Sequence, residues 1–375
     1  MVVGMAEHPQ SSVAEAFGTW GATQAAYRFW DNENVDVEAL TGGIGEATAR
    51  RCAEESVVLL LQDTTEIGYN SRKAADRGLG PTCSGGKRGF FLHTTLATTK
   101  EGVPVGLLNQ QMWTRPEQAK GKGSRPQAAI EEKESARWLR SVHTSARLLP
   151  GEVRKIVIAD READIYELLS VLMHKRHDFV LRGTHNRVIE GEAGRLSTAL
   201  ENAPVNGCTT MQVRAADGRG ARTARLLVRA VRVTLEPGTW VRQVVRERWQ
   251  AEHPEQEPLA RYPLEPLSLG VVEVIEHAVP EGEQWLHWRL LTSLPVDSLE
   301  DGYMVMDIIG CDGSLSDSTT SSRADAGWSA CNWNSTSGSS RRRSRAALWR
   351  GIGSKRTLRD TSNASVSPHH RHCMG

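Results

Sequence analysis

The sequence contains little that would suit a membrane or an oxidising compartment. Its six cysteines are scattered over 375 residues without a CxxC pair or the even spacing of a disulfide scaffold. No charged-then-apolar leader opens the chain, so no disulfide framework is expected and a reducing cytoplasm is the simplest compartment. The longest apolar run, VVLLL at residues 57–61, falls far short of the ~20 residues of a spanning helix, which excludes membrane insertion. A dominant charge is also missing. Forty-six basic residues face 45 acidic ones, so bulk charge neither favours nor excludes a nucleic-acid partner, and only local clustering could. The clustering that exists lies in SSRRRSRAALWRGIGSKR near the C-terminus.

What is present is ordinary globular text over most of the length. With 39% hydrophobic residues the chain can bury one large core or two ordinary ones. Helix formers broken by Gly and Asn in SSVAEAFGTWGATQAAYRFWDNENV predict two short helices, and DVEALTGGIGEATARRCAEE a third. SVVLLLQDTTEIGYN reads as a buried strand with Asp63 at its exit. RGFFLHTTLATT, KEGVP and VGLLNQQMWTR form a hairpin pattern, and AAIEEKESARWLRSVHTSARLL has helical spacing. RKIVIAD is a second buried strand ending in Asp160, and READIYELLSVLMHKR follows as a helix with acids early and bases late, as the helix dipole favours. From FVLRGTHNR to about Pro280 apolar and polar residues alternate, which predicts a β-rich insertion. HWRLLTSLPVDSLEDGYMVMDII then returns to core-like text, with a helix starting near Ser298.

Two aspartates at the ends of two strands of one sheet can converge on a common crevice. Such a pair suits two divalent metals about 3.5–4 Å apart, which serve the attacking and leaving oxygens of a phosphodiester. Magnesium, or manganese, is the oxygen-seeking ion that fits. Taken singly, an Asp after a strand is more often a helix cap or turn former. Together, in QDTTEIGY and ADREADIYELL, Asp63 and Asp160 point to chemistry.

TQAAYRFWDN, QDTTEIGY, GLLNQQMWTRP, ADREADIYELL and LLTSLPVDSL resemble, in order and spacing, the cut-and-paste transposases of bacterial insertion sequences, the DDE type with a YREK signature. The resemblance covers approximately residues 10–308. It implies an α/β fold: an RNase H-like mixed sheet flanked by helices and interrupted by the β-rich insertion. It implies Asp63 and Asp160 as metal ligands, and Arg182 and Trp288 as DNA-binding residues, Trp288 receiving a flipped base. On the residues alone, Arg182 is either a phosphate contact or a solvated strand end. Trp288 is either core or a stacking platform, which would need an exposed face. The implied organisation is a remnant of a helical N-terminal DNA-binding region at 1–50, the catalytic core at 51–182, the insertion at 183–285, a return to the core at 286–308, and a tail at 309–375. The start reads as incomplete beside the family pattern. The partners implied are transposon-end DNA and target DNA, with a homodimer in a synaptic complex and a cytoplasmic, nucleoid-associated location.

The family's third acid sits in a helix of pattern Y-x2-R-x3-E-x6-K. Aligned from Asp307, those four residues should stand at Ile309, Asp312, Ser316 and Arg323, and none matches. Read one base earlier, with suitable codons, the same nucleotides can give YRMRWLIERFHYVLKSGCRVERLQLE, which carries the signature on a helical pattern. The text after Ile308 is therefore expected to be out of frame. Its arginines at 341–345 then read as accidental charge in a disordered tail rather than a nucleic-acid arm, and HHRHC as an adventitious metal binder. Ser316 stands where the acid belongs, so this copy is expected to be inactive. Two other readings remain: a metal-dependent nuclease using the two aspartates, alone or with Asp317, and a non-catalytic DNA-binding or dimerising remnant that interferes with intact transposase.

Overall fold

The computed structural model describes residues 2–70, 75–83, 86–117, 128–213, 220–238, 241–283 and 285–310. Four helices come first: α1 (Val2–Glu7), α2 (Val13–Phe17), α3 (Trp20–Trp30) and α4 (Val37–Cys52). Local chemistry sets their starts. Ser12 and Glu15 form a reciprocal capping box on α2, Thr19 caps α3, and Asp36 accepts from two backbone N–H groups of α4.

Then follow β1 (Val57–Tyr69), the short β2 (Gly80–Pro81), β3 (Arg88–Thr99), β4 (Pro104–Trp113), α5 (Ala136–Leu148), β5 (Arg154–Ala159), α6 (Tyr166–His174) and β6 (Asp178–Arg182). After these come α7 (Leu196–Asn202), β7 (Gly207–Val213), β8 (Arg222–Leu235), α8 (Val241–Glu252), β9 (Leu267–His277), β10 (His287–Thr292) and α9 (Leu299–Gly310). All ten strands among the described residues join one sheet of order β2-β3-β1-β5-β6-β10-β9-β8-β7, with β4 also on β3. The β1–β5 and β5–β6 pairs are parallel and the other pairs antiparallel.

Both faces of the central strands are covered. Val58, Leu60, Val157 and Ala159 pack with Trp138 and Leu139 of α5 and Leu168 and Leu172 of α6. Leu59, Leu61, Ile156 and Ile158 pack on the other face with Met304, Val305, Ile308 and Ile309 of α9. That two-sided burial is why these strands read as continuous apolar runs rather than alternating ones.

Three expectations are refined. The segment after Asp160 is not one helix: a 3-10 turn at Arg161–Ala163 comes first, Asp164 breaks the path, and α6 starts at Tyr166. Asp164 is buried and accepts from the backbone N–H groups of Thr184 (2.7 Å) and His185 (2.8 Å) while pairing with Arg187; satisfying that loop outweighs helical continuity. The alternating text of 183–285 does form strands, but they extend the central sheet through β10, and the stretch also holds α7 and α8. Finally, α9 runs past Ile308 to Gly310 with Ile309 fully buried. Ser316, Asp317, Arg323, the arginines at 341–345 and HHRHC lie outside the described residues.

Candidate active site

Strand register brings Asp63 and Asp160 level. Leu61 pairs with Ile158 in the parallel β1–β5 ladder, and each aspartate stands two residues further along its own strand direction. Both alternate with residues of the α9-side core, Leu59 and Leu61 before one, Ile156 and Ile158 before the other, so they share one face of the sheet. Adjacent strands lie about 4.8 Å apart. Arg182 continues the row: Ala159 pairs with Leu181, which sets Arg182 level with Asp160 on the next strand. The row runs carboxylate, carboxylate, guanidinium.

The two carboxylates are held locally. Asp63 accepts from the Thr65 hydroxyl at 3.3 Å. Asp160 caps its 3-10 turn, accepting from the Glu162 N–H at 2.8 Å. Burial pushes the Asp160 carboxyl above the usual carboxylate range, and the Glu162 N–H, Arg182 and Arg137 pull it back. Burial likewise raises Glu162, opposed by Arg137.

Two further expectations meet the structure differently. Arg182 is only 6% exposed, so it is not a solvated strand end; it is a buried cation beside Asp160. Trp288 is 3% exposed and lies in the α9-side core next to Leu290 and Val274. Of the two readings that the residues leave open for Trp288, this is the core one, strand alternation turning its ring into the layer between sheet and helix.

Sequence reasoning missed the layer behind the aspartates. Arg137 of α5 is buried and donates from Nε to the Thr64 hydroxyl (2.8 Å), from a terminal nitrogen to the Glu134 carbonyl (2.9 Å), and forms an ion pair with Glu162. The Thr64 hydroxyl lies 2.9 Å from His93 Nδ1, and His93 Nε2 lies 3.3 Å from Gln62 Oε1. Gln62 Oε1 can only accept, so Nε2 carries the proton, and Nδ1 of the neutral ring accepts from the Thr64 hydroxyl, which itself accepts from Arg137. Burial and the Arg137 charge both push the His93 pKa well down, in keeping with that tautomer. The available signal was an arginine inside the apolar stripe Ala136, Trp138, Leu139, Val142 of a helix.

The donor set of Asp63 and Asp160 is oxygen only, which fits a hard divalent ion. Among the described residues no cluster of three His, Cys, Asp or Glu side chains is arranged to hold a metal. No described helix is long and apolar enough to cross a membrane.

Residues 1–35 match the family model for transposase DNA-binding. The match supports a transposase with a DNA-binding segment, formed here by α1, α2 and α3. In that segment Arg28 is the sole Arg or Lys, against Glu7, Glu15, Asp31 and Glu33. Its exposed large side chains include Trp20, Tyr27 and Trp30.

Proposed function

We propose that the chain is a DDE-type transposase of a bacterial insertion sequence with an RNase H-like core, in a copy that lacks its third acid. The observation that carries this reading is the level pair Asp63 and Asp160 on one face of parallel strands, in a chain whose first 35 residues match transposase DNA-binding. The arrangement of β4-β3-β1-β5-β6, with β3 antiparallel to β1 and β5 and β6 parallel to it, supports the fold reading. The substrates are transposon-end DNA and target DNA, handled by a homodimer.

Asp63 and Asp160 would hold Mg2+ or Mn2+, which when bound supplies charge neutralisation and an activated oxygen for phosphodiester cleavage. Arg182, fixed beside Asp160, offers a guanidinium to a phosphate entering the row. Asp160 must be ionised to serve as a ligand, and Arg182, Arg137 and the Glu162 N–H favour that form against burial. A third acid would complete this ligand set.

A second reading is a DNA-binding remnant without catalysis, carried by the match of residues 1–35 to transposase DNA-binding. One assay separates the two: magnesium-dependent nicking and gel retardation of end-bearing DNA by this chain, by a frame-restored chain, and by the frame-restored chain carrying Asp160→Ala. Nicking by the frame-restored chain alone is expected. Nicking by the present chain at the same level, abolished by Asp160→Ala, would show that the third acid is dispensable. Retardation without nicking by any protein supports the remnant.

A further inference from the structure

We infer that Arg137 is a positioning residue: from behind the sheet it fixes the strand position next to Asp63 and the turn that follows Asp160, and so sets the spacing of the two carboxylates. The inference rests on reading Asp63 and Asp160 as one cation site. Thr64 follows Asp63 directly and points to the opposite face, as strand alternation requires. Glu162 belongs to the 3-10 turn that Asp160 caps. One guanidinium meets both, through Nε at 2.8 Å to Thr64 and through a terminal nitrogen to Glu162.

The geometry distinguishes this from ordinary packing. Beyond the last registered pair, Leu61 with Ile158, β1 and β5 share no further ladder pairs, so the backbone does not lock Asp63 against Asp160 at the height where they matter. Arg137 bridges that gap. It is itself immobilised, through the Glu134 carbonyl at 2.9 Å and by lying 5.5 Å from the Trp113 ring centroid and 5.3 Å from that of Trp138. Thr64 is anchored from its far side by His93, which stands edge-on to Trp138 at 4.5 Å. A planar fork with donors in three directions suits this task, and a lysine would reach fewer of the acceptors at once.

The test is Mn2+ binding to the full chain, read from loss of the free-ion EPR signal, with circular dichroism at the same temperature reporting the folded fraction. The proteins are the unmodified chain, Asp160→Asn, Arg137→Gln, Arg137→Lys and Thr64→Val. Asp160→Asn is expected to lose the site. Arg137→Gln should stay folded and bind about tenfold more weakly, the usual cost of removing a supporting group behind a metal ligand. Arg137→Lys should recover only part of that loss, and Thr64→Val should weaken binding about threefold, as for one hydrogen bond. A structural role alone would lower the melting temperature without moving the affinity of the folded protein. Folded Arg137→Gln with unchanged affinity, alongside loss in Asp160→Asn, overturns the positioning role and leaves the two-aspartate site standing. If Arg137→Gln does not fold, Thr64→Val decides, and unchanged affinity there overturns it. Binding that Asp160→Asn leaves unaltered, or no binding by the unmodified chain, overturns both readings.

Discussion

Charged residues do different work in the two halves of the sheet. In the parallel half, β1, β5 and β6 are buried on both faces; Asp63 within β1, Asp160 just after β5 and Arg182 at the end of β6 stand level in one row, while Arg154 and Asp178 at the starts of β5 and β6 pair with each other. In the antiparallel half, β8, β9 and β10 carry many charges that neutralise one another. Glu276 takes both arms of Arg222 at 2.8 Å, and Arg222 also meets Glu283 at 2.8 Å. Glu273 accepts from His287 at 2.8 Å and from Arg229 and Arg289 at 3.4 Å. A carboxylate whose surroundings are cations of its own sheet is a structural group. Asp160 stands level with a second carboxylate, Asp63, on one side and with Arg182 on the other.

The largest effect that sharpens this contrast is apolar. Phe179 on β6 is fully buried, and Phe179→Ala should cost about 4 kcal/mol in urea unfolding, by lost transfer energy plus a cavity. In the antiparallel half, Glu276→Ala should cost about 3 kcal/mol, because Arg222 loses its bidentate partner in a buried setting. A loss below about 0.5 kcal/mol there would class the pair with surface charges and erase the contrast.

Acid should act on the two halves in sequence. His93 has a folded pKa far below its unfolded value of ~6.5. Its contribution is complete above that value and declines as pH falls below it, because the unfolded chain takes up the proton first. Burial alone would raise Glu273, but His287 and Arg289 outweigh it and hold its pKa below the ordinary value. Its contribution is therefore kept above ~4.3 and lost as pH falls through that range. Amide-exchange protection followed from pH 7 downward should fall around β1 and β3 before β9, and simultaneous loss would contradict the assignment. The smallest effect is expected at the exposed Arg261–Glu257 pair, where Arg261→Ala should change stability by about 0.3 kcal/mol, as for a surface ion pair.

The parts of the fold legible in the sequence were those that local text determines. VVLLL and KIVIA announced strands buried on both faces, the KEGVP turn announced the β3–β4 hairpin, and Ser298 marked the start of α9, where its hydroxyl accepts from the Asp301 N–H. What escaped depends on partners far along the chain. Asp164 ends a promising helix because Thr184, His185 and Arg187 need it. α8 was hidden in Val- and Arg-rich text that suits strands, and its helical period shows only in the buried pair Val245 and Trp249. Tyr166 ties α6 to the extension through one hydroxyl proton shared between the Glu265 carbonyl at 2.7 Å and the Leu235 carbonyl at 3.2 Å. At the candidate site, Asp160 was legible as the residue closing an apolar strand and Asp63 as the first acid after one, although β1 does not end there but runs on to Tyr69 in its ladder with β3; Arg137 acts across a sheet whose register no local pattern reports.

The central claim, that Asp63 and Asp160 share one cation, is tested most directly by loading Fe2+ and mapping where ascorbate and peroxide cleave the chain, since the radicals cut only backbone close to the bound ion. Two cuts of similar strength are expected, one near residue 63 and one near residue 160, both lost in Asp63→Asn and both lost in Asp160→Asn. A cut at one position that survives removal of the aspartate at the other would contradict the claim.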